Sequence, residues 1–320
     1  MILRSLPAGL YVMTYHQISW AENYFVRGAG IVTPPDIFRQ HLATYQALGA
    51  MLSLPEALAL LEKGPLRNPT FAITFDDGFD GIIKYVLPIM QEFTCGVTIA
   101  PCPSFLLRDE FFWRLELFFL ANTGRLPLLR DRLTHLGYDG SSLRSWTLQK
   151  FSPEVRACLG ELFTEVCPSY IREEAWNMFL TVEDCRKLER EGEFYFVNHS
   201  RKHYYFFNRP PGEAAADFHA ADEELRSLLG SAYRNDLSLP FGDLNQDALG
   251  EYRNTAKDNV ILFNKNAVNF SWEHSRNIER ISVGNLTVAQ LVNLLHSCAR
   301  KKAGVRSVNP PPDRRRGLSP

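Results

Sequence analysis

Residues 70–81 read TFAITFDDGFDG, and this stretch decides the expected fold. Residues 71–75 form a short apolar run with β-branched members, which is typical of a buried strand. The run ends in two adjacent carboxylates, Asp76 and Asp77, whose burial is costly unless a cation or a proton compensates. The stretch therefore predicts two acids at the end of a strand, where α/β folds place their active sites. The alternative is an ordinary Asp-Gly turn after a core strand.

A second segment, VNHSRKH at residues 197–203, also follows an apolar run. His199 and His203 are four residues apart, and on a helical turn this spacing would place both imidazoles on one face, close enough to share a metal ion. Such a pair is often incidental when it stands alone. Its position after a second predicted strand, together with the earlier pair of acids, favours a metal site.

The order of predicted elements indicates an α/β fold with a parallel sheet or barrel. Strands are predicted at residues 10–15, 71–75, 96–100, 194–197, 237–241, 260–263 and 278–283, and helices at 34–48, 55–62, 82–93, 182–191, 212–229 and 287–296. Thr181 is the expected N-cap of the helix at 182–191, with Asp184 three residues later.

Between residues 105 and 180 the strand signal disappears, and we interpret this region as a helical insertion. Its many aromatic residues are expected to pack the insertion onto the barrel; the alternative is that some of them line a substrate groove. The same two uses are open to the aromatic run at 204–207, for which packing around the metal site is favoured. The predicted organisation is one barrel domain, residues 1–299, followed by a tail.

The composition bounds the function. The chain has 320 residues, 45% hydrophobic and 22% charged, with a formal net charge of −1, which fits a soluble globular protein with no nucleic-acid footprint. Residues 300–320 differ, because they hold seven basic residues against one acidic residue and three consecutive prolines. We predict that this basic tail is disordered and without a specific function.

The expected location is the cytoplasm. The six cysteines are scattered without zinc-ribbon spacing, which fits a reducing compartment better than a disulfide framework. The only early apolar run, residues 6–13, is broken by Pro7 and Gly9 and makes a poor signal peptide. No apolar run approaches the roughly 20 residues that a membrane span requires.

Several of these segments together resemble one known family. TFDDG at 74–78 is similar to the first motif of the polysaccharide deacetylases, the NodB-homology carbohydrate esterases, and HSRKH at 199–203 resembles their second motif. The segment 240–242, PFG, resembles the end of their third motif, and Tyr15-His16 resembles the strand end of members with permuted motifs. The resemblance covers roughly residues 10–296 apart from the insertion. It implies a distorted (β/α) barrel of about seven strands.

The resemblance also implies a ligand set and a base. Asp77, His199 and His203 would hold one divalent ion, most plausibly zinc, with iron, cobalt or manganese as alternatives. The metal would acidify a bound water and polarise the acetyl carbonyl, and Asp76 would take the proton of the water as general base.

Further roles follow from the same resemblance. The turn of Pro240, Phe241 and Gly242 would bind substrate, with the backbone N–H of Phe241 stabilising the oxyanion. His16 is the candidate general acid, unless it is only a structural histidine at a strand end; His296 is the alternative acid.

The predicted function is metal-dependent removal of acetyl groups from an N- or O-acetylated polysaccharide or oligosaccharide. Two departures from the family pattern keep alternatives open. Val197-Asn198 replaces Gly-Ser before the first histidine. Ser238 and Leu239 stand directly before Pro240, where the family commonly has an arginine, so Arg280 from a later strand is the candidate for that role. The alternatives are a carbohydrate-binding barrel with impaired turnover and a small-molecule amide hydrolase that uses the same site. The oligomeric state is not predicted.

Overall fold

A closed ring of seven parallel strands forms the centre of the structure, a computed structural model that describes residues 5–191 and 193–302. Ten strands lie in these residues: β1 (Gly9–Tyr15), β2 (Gln17–Ile18), β3 (Val32–Thr33), β4 (Ala50–Met51), β5 (Pro69–Asp77), β6 (Val97–Pro101), β7 (Phe194–Asn198), β8 (Tyr233–Ser238), β9 (Ile261–Phe263) and β10 (Asn277–Ser282). The ring has the order β1, β10, β9, β8, β7, β6, β5 and closes where β5 pairs with β1. The predicted barrel of about seven strands is confirmed.

Helices surround this ring and connect its strands. In the described part of the chain the α-helices are α1 (Pro35–Leu48), α2 (Leu54–Glu62), α3 (Leu87–Met90), α4 (Pro103–Leu106), α5 (Trp113–Asn122), α6 (Leu126–Leu133), α7 (Leu143–Gln149), α8 (Pro153–Val166), α9 (Ser169–Trp176), α10 (Val182–Arg190), α11 (Pro211–Leu229), α12 (Gln246–Thr255) and α13 (Val288–Lys302).

The two faces of the barrel strands serve different packing layers, because successive side chains of a strand point to opposite sides. Val12, Ala72 and Ile278 belong to a cluster that α2 joins through Leu58 and Leu61. The alternate residues of β1 and β5, such as Tyr15, pack in the larger cluster that includes α1 and α13. Both faces are therefore buried, which explains why these strands read as continuous apolar runs.

Three predicted elements differ in detail from the structure. The helix expected at 82–93 begins with a π-helical turn at Ile82–Val86 before α3; Pro88 has no N–H with which to continue the α-helical pattern. The strand expected at 237–241 lies earlier, as β8, and a 3₁₀ turn, Pro240–Gly242, follows it. The last helix extends past residue 296 to Lys302.

The region from α4 to α9 is helical and contributes most residues of one apolar cluster; its interpretation as an insertion into the barrel stays a prediction. Phe25, Phe111 and Phe163 are among the aromatic residues that pack there, with ring centroids 5.6–6.2 Å apart. The insertion reaches the end of the barrel, since Nε1 of Trp113 donates to the backbone oxygen of His203 at 2.9 Å. It therefore contributes directly to the surroundings of the histidine motif.

The remaining predictions concern the tail, the cysteines and the membrane. Residues 303–320 of the predicted tail lie outside the described residues, whereas Arg300 and Lys301 continue α13. All six cysteines are free thiols. Across residues 5–191 and 193–302, the helices are too short or too polar to cross a membrane. The cytoplasmic location stays a prediction.

Candidate active site

Polar side chains meet at the carboxyl ends of three barrel strands. Asp76 and Asp77 are the last residues of β5, His199 directly follows β7, and Arg280 lies on β10. Because parallel strands in a barrel present their carboxyl ends at one mouth, residues far apart in sequence are brought together there. All four side chains are almost completely buried. The Asp-Gly segment is thus part of a polar cluster and not only a turn.

Asp77, His199 and His203 face one another as a group that could hold a metal ion. The Nε2 atoms of His199 and His203 lie 3.4 and 3.2 Å from the same oxygen, Oδ1 of Asp77. That oxygen is buried and yet has no hydrogen-bond partner. Two ligands about 2.0–2.1 Å from a zinc ion at a tetrahedral angle lie about 3.4 Å apart. The donor types, their spacing and the unsatisfied oxygen all fit a divalent cation.

The two histidines do not lie on a helical turn, so that expectation was wrong. Residues 199–203 form a loop in which Ser200 and His203 have φ angles of 65° and 55°. The loop is held by short-range hydrogen bonds: the Ser200 N–H donates to Oδ1 of Asn198 at 2.7 Å, and the His203 N–H donates to Oγ of Ser200 at 2.9 Å. Asn198, which replaces the serine of the family pattern, therefore acts as an anchor of the loop.

The ring of His199 is oriented by a neighbouring strand. Its Nδ1 lies 2.8 Å from the backbone oxygen of Ser238, at the end of β8. A carbonyl oxygen can only accept, so Nδ1 carries the proton and Nε2 is left with its lone pair on the side of Asp77. His203 is positioned by packing instead, between the rings of Phe112 and Phe241 at centroid distances of 4.6 and 4.9 Å.

Asp76 lies outside the ligand group and is paired with an arginine. Nη1 and Nη2 of Arg280 donate to its two carboxylate oxygens at 2.7 and 3.0 Å, and the Ser238 hydroxyl donates to Oδ1 at 2.9 Å. Burial favours the protonated acid, but the charges of Arg280, His199 and His16 outweigh it and lower the pKa of Asp76 to about 2. Arg280 thus occupies the place suggested for it from the sequence.

Burial and neighbouring charges also act in opposite directions on the pKa of Asp77, the carboxylate of the candidate metal group. Burial alone would raise the pKa of Asp77, whereas the nearby imidazoles of His203 and His199 hold it well below its usual value. Burial in turn lowers the pKa of His203. The low pKa of Asp77 favours an ionised carboxylate and the low pKa of His203 favours a neutral imidazole, the states that a cation requires. The charges of Asp76 and Asp77, in contrast, outweigh burial and raise the pKa of His199.

A cavity of about 340 Å³ opens over these residues. His16 lines it together with Asp76 and Asp77, as expected for a group that acts on the same substrate. The alternative acid, His296, lies on α13 and is not among the residues that line the cavity. Phe112, Leu115 and other side chains of α5 and α7 form part of the wall, so the insertion does line the site in addition to packing on the barrel.

The turn of Pro240, Phe241 and Gly242 borders the same cavity. Phe241 lines it and adopts the left-handed conformation, with φ 60° and ψ 0°. Gly242 also has a positive φ, 73°, and a Cβ at this position would meet Cβ of Asn264 at 2.1 Å. The turn is therefore a tightly packed support for Phe241. Its predicted role in stabilising an oxyanion stays a prediction.

Three site residues were not identified from the sequence. Ser238 binds Asp76 and His199, but a lone serine at a strand end carries no distinguishing signal. Arg114 and Arg144 line the cavity from α5 and α7. No spacing rule connects these arginines to the motifs on the barrel, because the fold of the insertion alone decides where they lie.

Comparison with known proteins supports the fold but not a close relationship. No family model and no curated protein matches the sequence. Solved structures do match it: the Streptococcus pyogenes deacetylase PplD, in complex with acetate, has a TM-score of 0.57 at 15% identity, covering 90% of this chain and 99% of that one. The de-N-acetylase from Aggregatibacter actinomycetemcomitans has a TM-score of 0.57 at 14% identity, with 89% and 99% covered. BC0361, a polysaccharide deacetylase from Bacillus cereus, has a TM-score of 0.54 at 13% identity, with 90% and 69% covered. The chain therefore has the fold found in these deacetylases.

Proposed function

We propose that this chain is a metal-dependent hydrolase of the polysaccharide deacetylase family, which removes acetyl groups from an acetylated carbohydrate. The observation that carries the proposal is the buried group of Asp77, His199 and His203 beside a second carboxylate, Asp76, that is not part of the group. Division of the two acids between a cation and a general base suits metal-assisted hydrolysis of an amide or ester. The shared fold of named deacetylases, matched over about nine-tenths of this chain, supports the same activity.

Asp77, His199 and His203 would hold the metal, with zinc as the first expectation for this donor set. When bound, such an ion supplies Lewis acidity, which polarises a carbonyl group and acidifies water. The chain supplies orientation: the Ser238 carbonyl fixes the tautomer of His199, and buried aromatic rings hold His203.

Asp76 would accept the proton of the attacking water. With a pKa near 2 it is ionised at neutral pH, and the fork of Arg280 fixes the plane of its carboxylate. His16, on the wall of the same cavity, would give a proton to the leaving amine or alcohol. The backbone N–H of Phe241 would donate to the oxyanion, as expected from the sequence resemblance.

The binding barrel without turnover was suggested partly by the missing arginine before Pro240. Arg280 supplies a guanidinium to Asp76 from β10, so this ground for the alternative no longer applies. We therefore favour an active enzyme over a binding module.

The test is acetate release from acetylated chito-oligosaccharides, acetylxylan and small N-acetyl compounds, with divalent metal added. Asp76→Asn should reduce kcat by about 100-fold to 10,000-fold, the usual contribution of a general base, while the metal content measured by elemental analysis is retained. His199→Ala should lose both metal and activity. Asp80→Asn is the matched control, because Asp80 follows four residues later and does not line the cavity. Normal turnover in Asp76→Asn would refute the assignment of the base.

A further inference from the structure

Two arginines of the insertion line the active-site cavity, and neither makes an ion pair with a carboxylate within residues 5–191 and 193–302. Arg114 lies on α5 and is partly buried, and Arg144 lies on α7 and is exposed. Among the described residues, neither guanidinium makes an ion pair or a side-chain hydrogen bond. Two other partly buried arginines of the insertion do make ion pairs: Arg132 binds Glu165, and Arg156 binds Glu110 and Glu116. The two cavity arginines are therefore available to a ligand.

The charge balance of the cavity leaves these two cations uncompensated. The carboxylates among the lining residues are Asp76 and Asp77. Asp76 is already neutralised by Arg280, and Asp77 belongs to the candidate metal group. A bound divalent cation would make the excess of positive charge larger still. An uncompensated positive field in a partly enclosed cavity raises the local concentration of anions.

Aromatic rings hold the two guanidiniums near the reacting groups. Cζ of Arg114 lies 5.7 Å from the ring centroid of Phe118 and 5.4 Å from that of Phe241. Cζ of Arg144 lies 5.8 Å from the same Phe118 ring. Stacking occupies the faces of a guanidinium and leaves the N–H donors at its edge free for a planar anion. Since Phe241 also packs on His203, the anion site adjoins the candidate metal group.

The protonation state of Arg114 is consistent with an anion site at this position. Burial and the neighbouring charge of Arg144 lower its pKa to about 10, while Asp77 opposes the shift. The group is therefore still a cation at neutral pH. Keeping a charged side chain here is unfavourable for folding, because it is desolvated next to a like charge.

We propose that Arg114 and Arg144 select an acetylated carbohydrate that carries an anionic group close to the acetyl group. The proposal rests on the proposed function, because it names the substrate class of that site. A carboxylate of a uronic acid unit and a phosphate ester on the sugar share the required chemistry, since both accept two parallel N–H donors. The cavity of about 340 Å³ is at the small end of ligand sites, which limits the anion to the acetylated unit or its direct neighbour.

The experiment compares matched charged and neutral ligands of metal-loaded protein. One pair is a tetrasaccharide of alternating N-acetylglucosamine and glucuronate against the tetrasaccharide of N-acetylglucosamine alone; the other is N-acetylglucosamine 6-phosphate against N-acetylglucosamine. Kd is measured by calorimetry and kcat/KM by acetate release. The wild type should bind the charged member of at least one pair roughly tenfold more tightly or better, since charge-assisted hydrogen bonds contribute that much. The preferred pair identifies carboxylate or phosphate.

Substitution then assigns the preference to the two arginines. Arg114→Gln and Arg144→Gln should each weaken binding of the preferred anion about tenfold more than binding of its neutral partner, and the binding of the neutral partner that remains shows that the variants are folded. Arg125→Gln is the matched control, because Arg125 stacks on Phe119 within the insertion but does not line the cavity. Arg144 is exposed, so its variant remains informative if Arg114→Gln does not fold.

Two results would overturn the proposal. One is equal affinity of the wild type for both members of both pairs. The other is a preference for the anion that survives both substitutions, which would assign this preference to the metal. These outcomes are separate from failure of the proposed function. If no ligand releases acetate, the deacetylase assignment fails, while the Kd values still decide whether the cavity selects anions.

Discussion

Replacement of Arg280 by methionine should reverse the direction in which the ionisation of Asp76 changes the stability of the fold with pH. Arg280 is completely buried and donates two hydrogen bonds to Asp76, so the methionine fills most of the volume and removes only the charge and the donors. The decrease in the pKa of Asp76 from 3.8 to about 2 corresponds to about 2–3 kcal/mol in favour of the ionised carboxylate. Removal of one partner of a buried pair costs about 3–5 kcal/mol.

The sign of the pH dependence follows from the direction of each shift. In the wild type, the lowered pKa of Asp76 gives stability that is present above pH 3.8 and lost as the pH falls towards about 2. Without Arg280, we expect burial to outweigh the remaining charges of His199 and His16 and to raise the pKa of Asp76 above 3.8. The variant should then lose stability as the pH rises above 3.8, by up to about 1.4 kcal/mol per pH unit, until Asp76 is ionised.

The assay is urea denaturation in the presence of a chelator at several pH values between 4.5 and 7. The difference in free energy of unfolding between wild type and Arg280→Met should grow with pH across this range. The double variant Arg280→Met/Asp76→Asn is the matched control, because it has no carboxyl at position 76 and should run parallel to the wild type. If the single variant also runs parallel to the wild type, Arg280 does not set the pKa of Asp76 and the reasoning is refuted. In the acetate-release assay, the acidic limb of the pH profile of kcat/KM should move to higher pH in Arg280→Met, because the pKa of Asp76 is expected to be higher.

Two further substitutions test the supports of the site. Gly242→Ala should destabilise the protein by about 1–3 kcal/mol in urea denaturation and lower acetate release. The reason is that the added Cβ would clash with Cβ of Asn264 on a backbone with positive φ. Unchanged stability would contradict the packing of this turn. Thr181→Ala should cost about 1 kcal/mol and leave kcat unchanged, because the Thr181 hydroxyl and Asp184 cap α10 reciprocally and neither residue lines the cavity. Thr181→Ser should restore the stability, and equal stability of the alanine variant would argue against the cap.

The barrel and the proximity of Asp77, His199 and His203 could be predicted from the sequence because local patterns encode them. Buried parallel strands read as apolar runs, and Asp77 and His199 stand directly at strand ends, where the rules of α/β folds place functional groups. The capping box at Thr181 was predicted for the same reason, since all of its atoms lie within four residues.

What the sequence could not provide depends on contacts between distant segments. The loop that carries His203 has a spacing that also suits a helix, and only the hydrogen bonds to Asn198 and Ser200 decide its conformation. Arg280 could be suggested from the sequence, but its position could not be predicted. Its partner Asp76 lies on β5, and β1 lies between β5 and β10. Arg114 and Arg144 line the cavity because of the tertiary packing of the insertion. The sequence motifs of the barrel contain no pattern that predicts this packing.

The pairing of Arg280 with Asp76 spans 204 residues of chain. β1, one of the earliest strands made, lies between β5 and β10 and hydrogen-bonds to both. During synthesis, the Asp76 carboxylate therefore emerges long before the guanidinium that orients it. A nascent or C-terminally truncated chain without β10 would leave Asp76 without its guanidinium partner, so the pair of Arg280 and Asp76 forms only once the ring has closed.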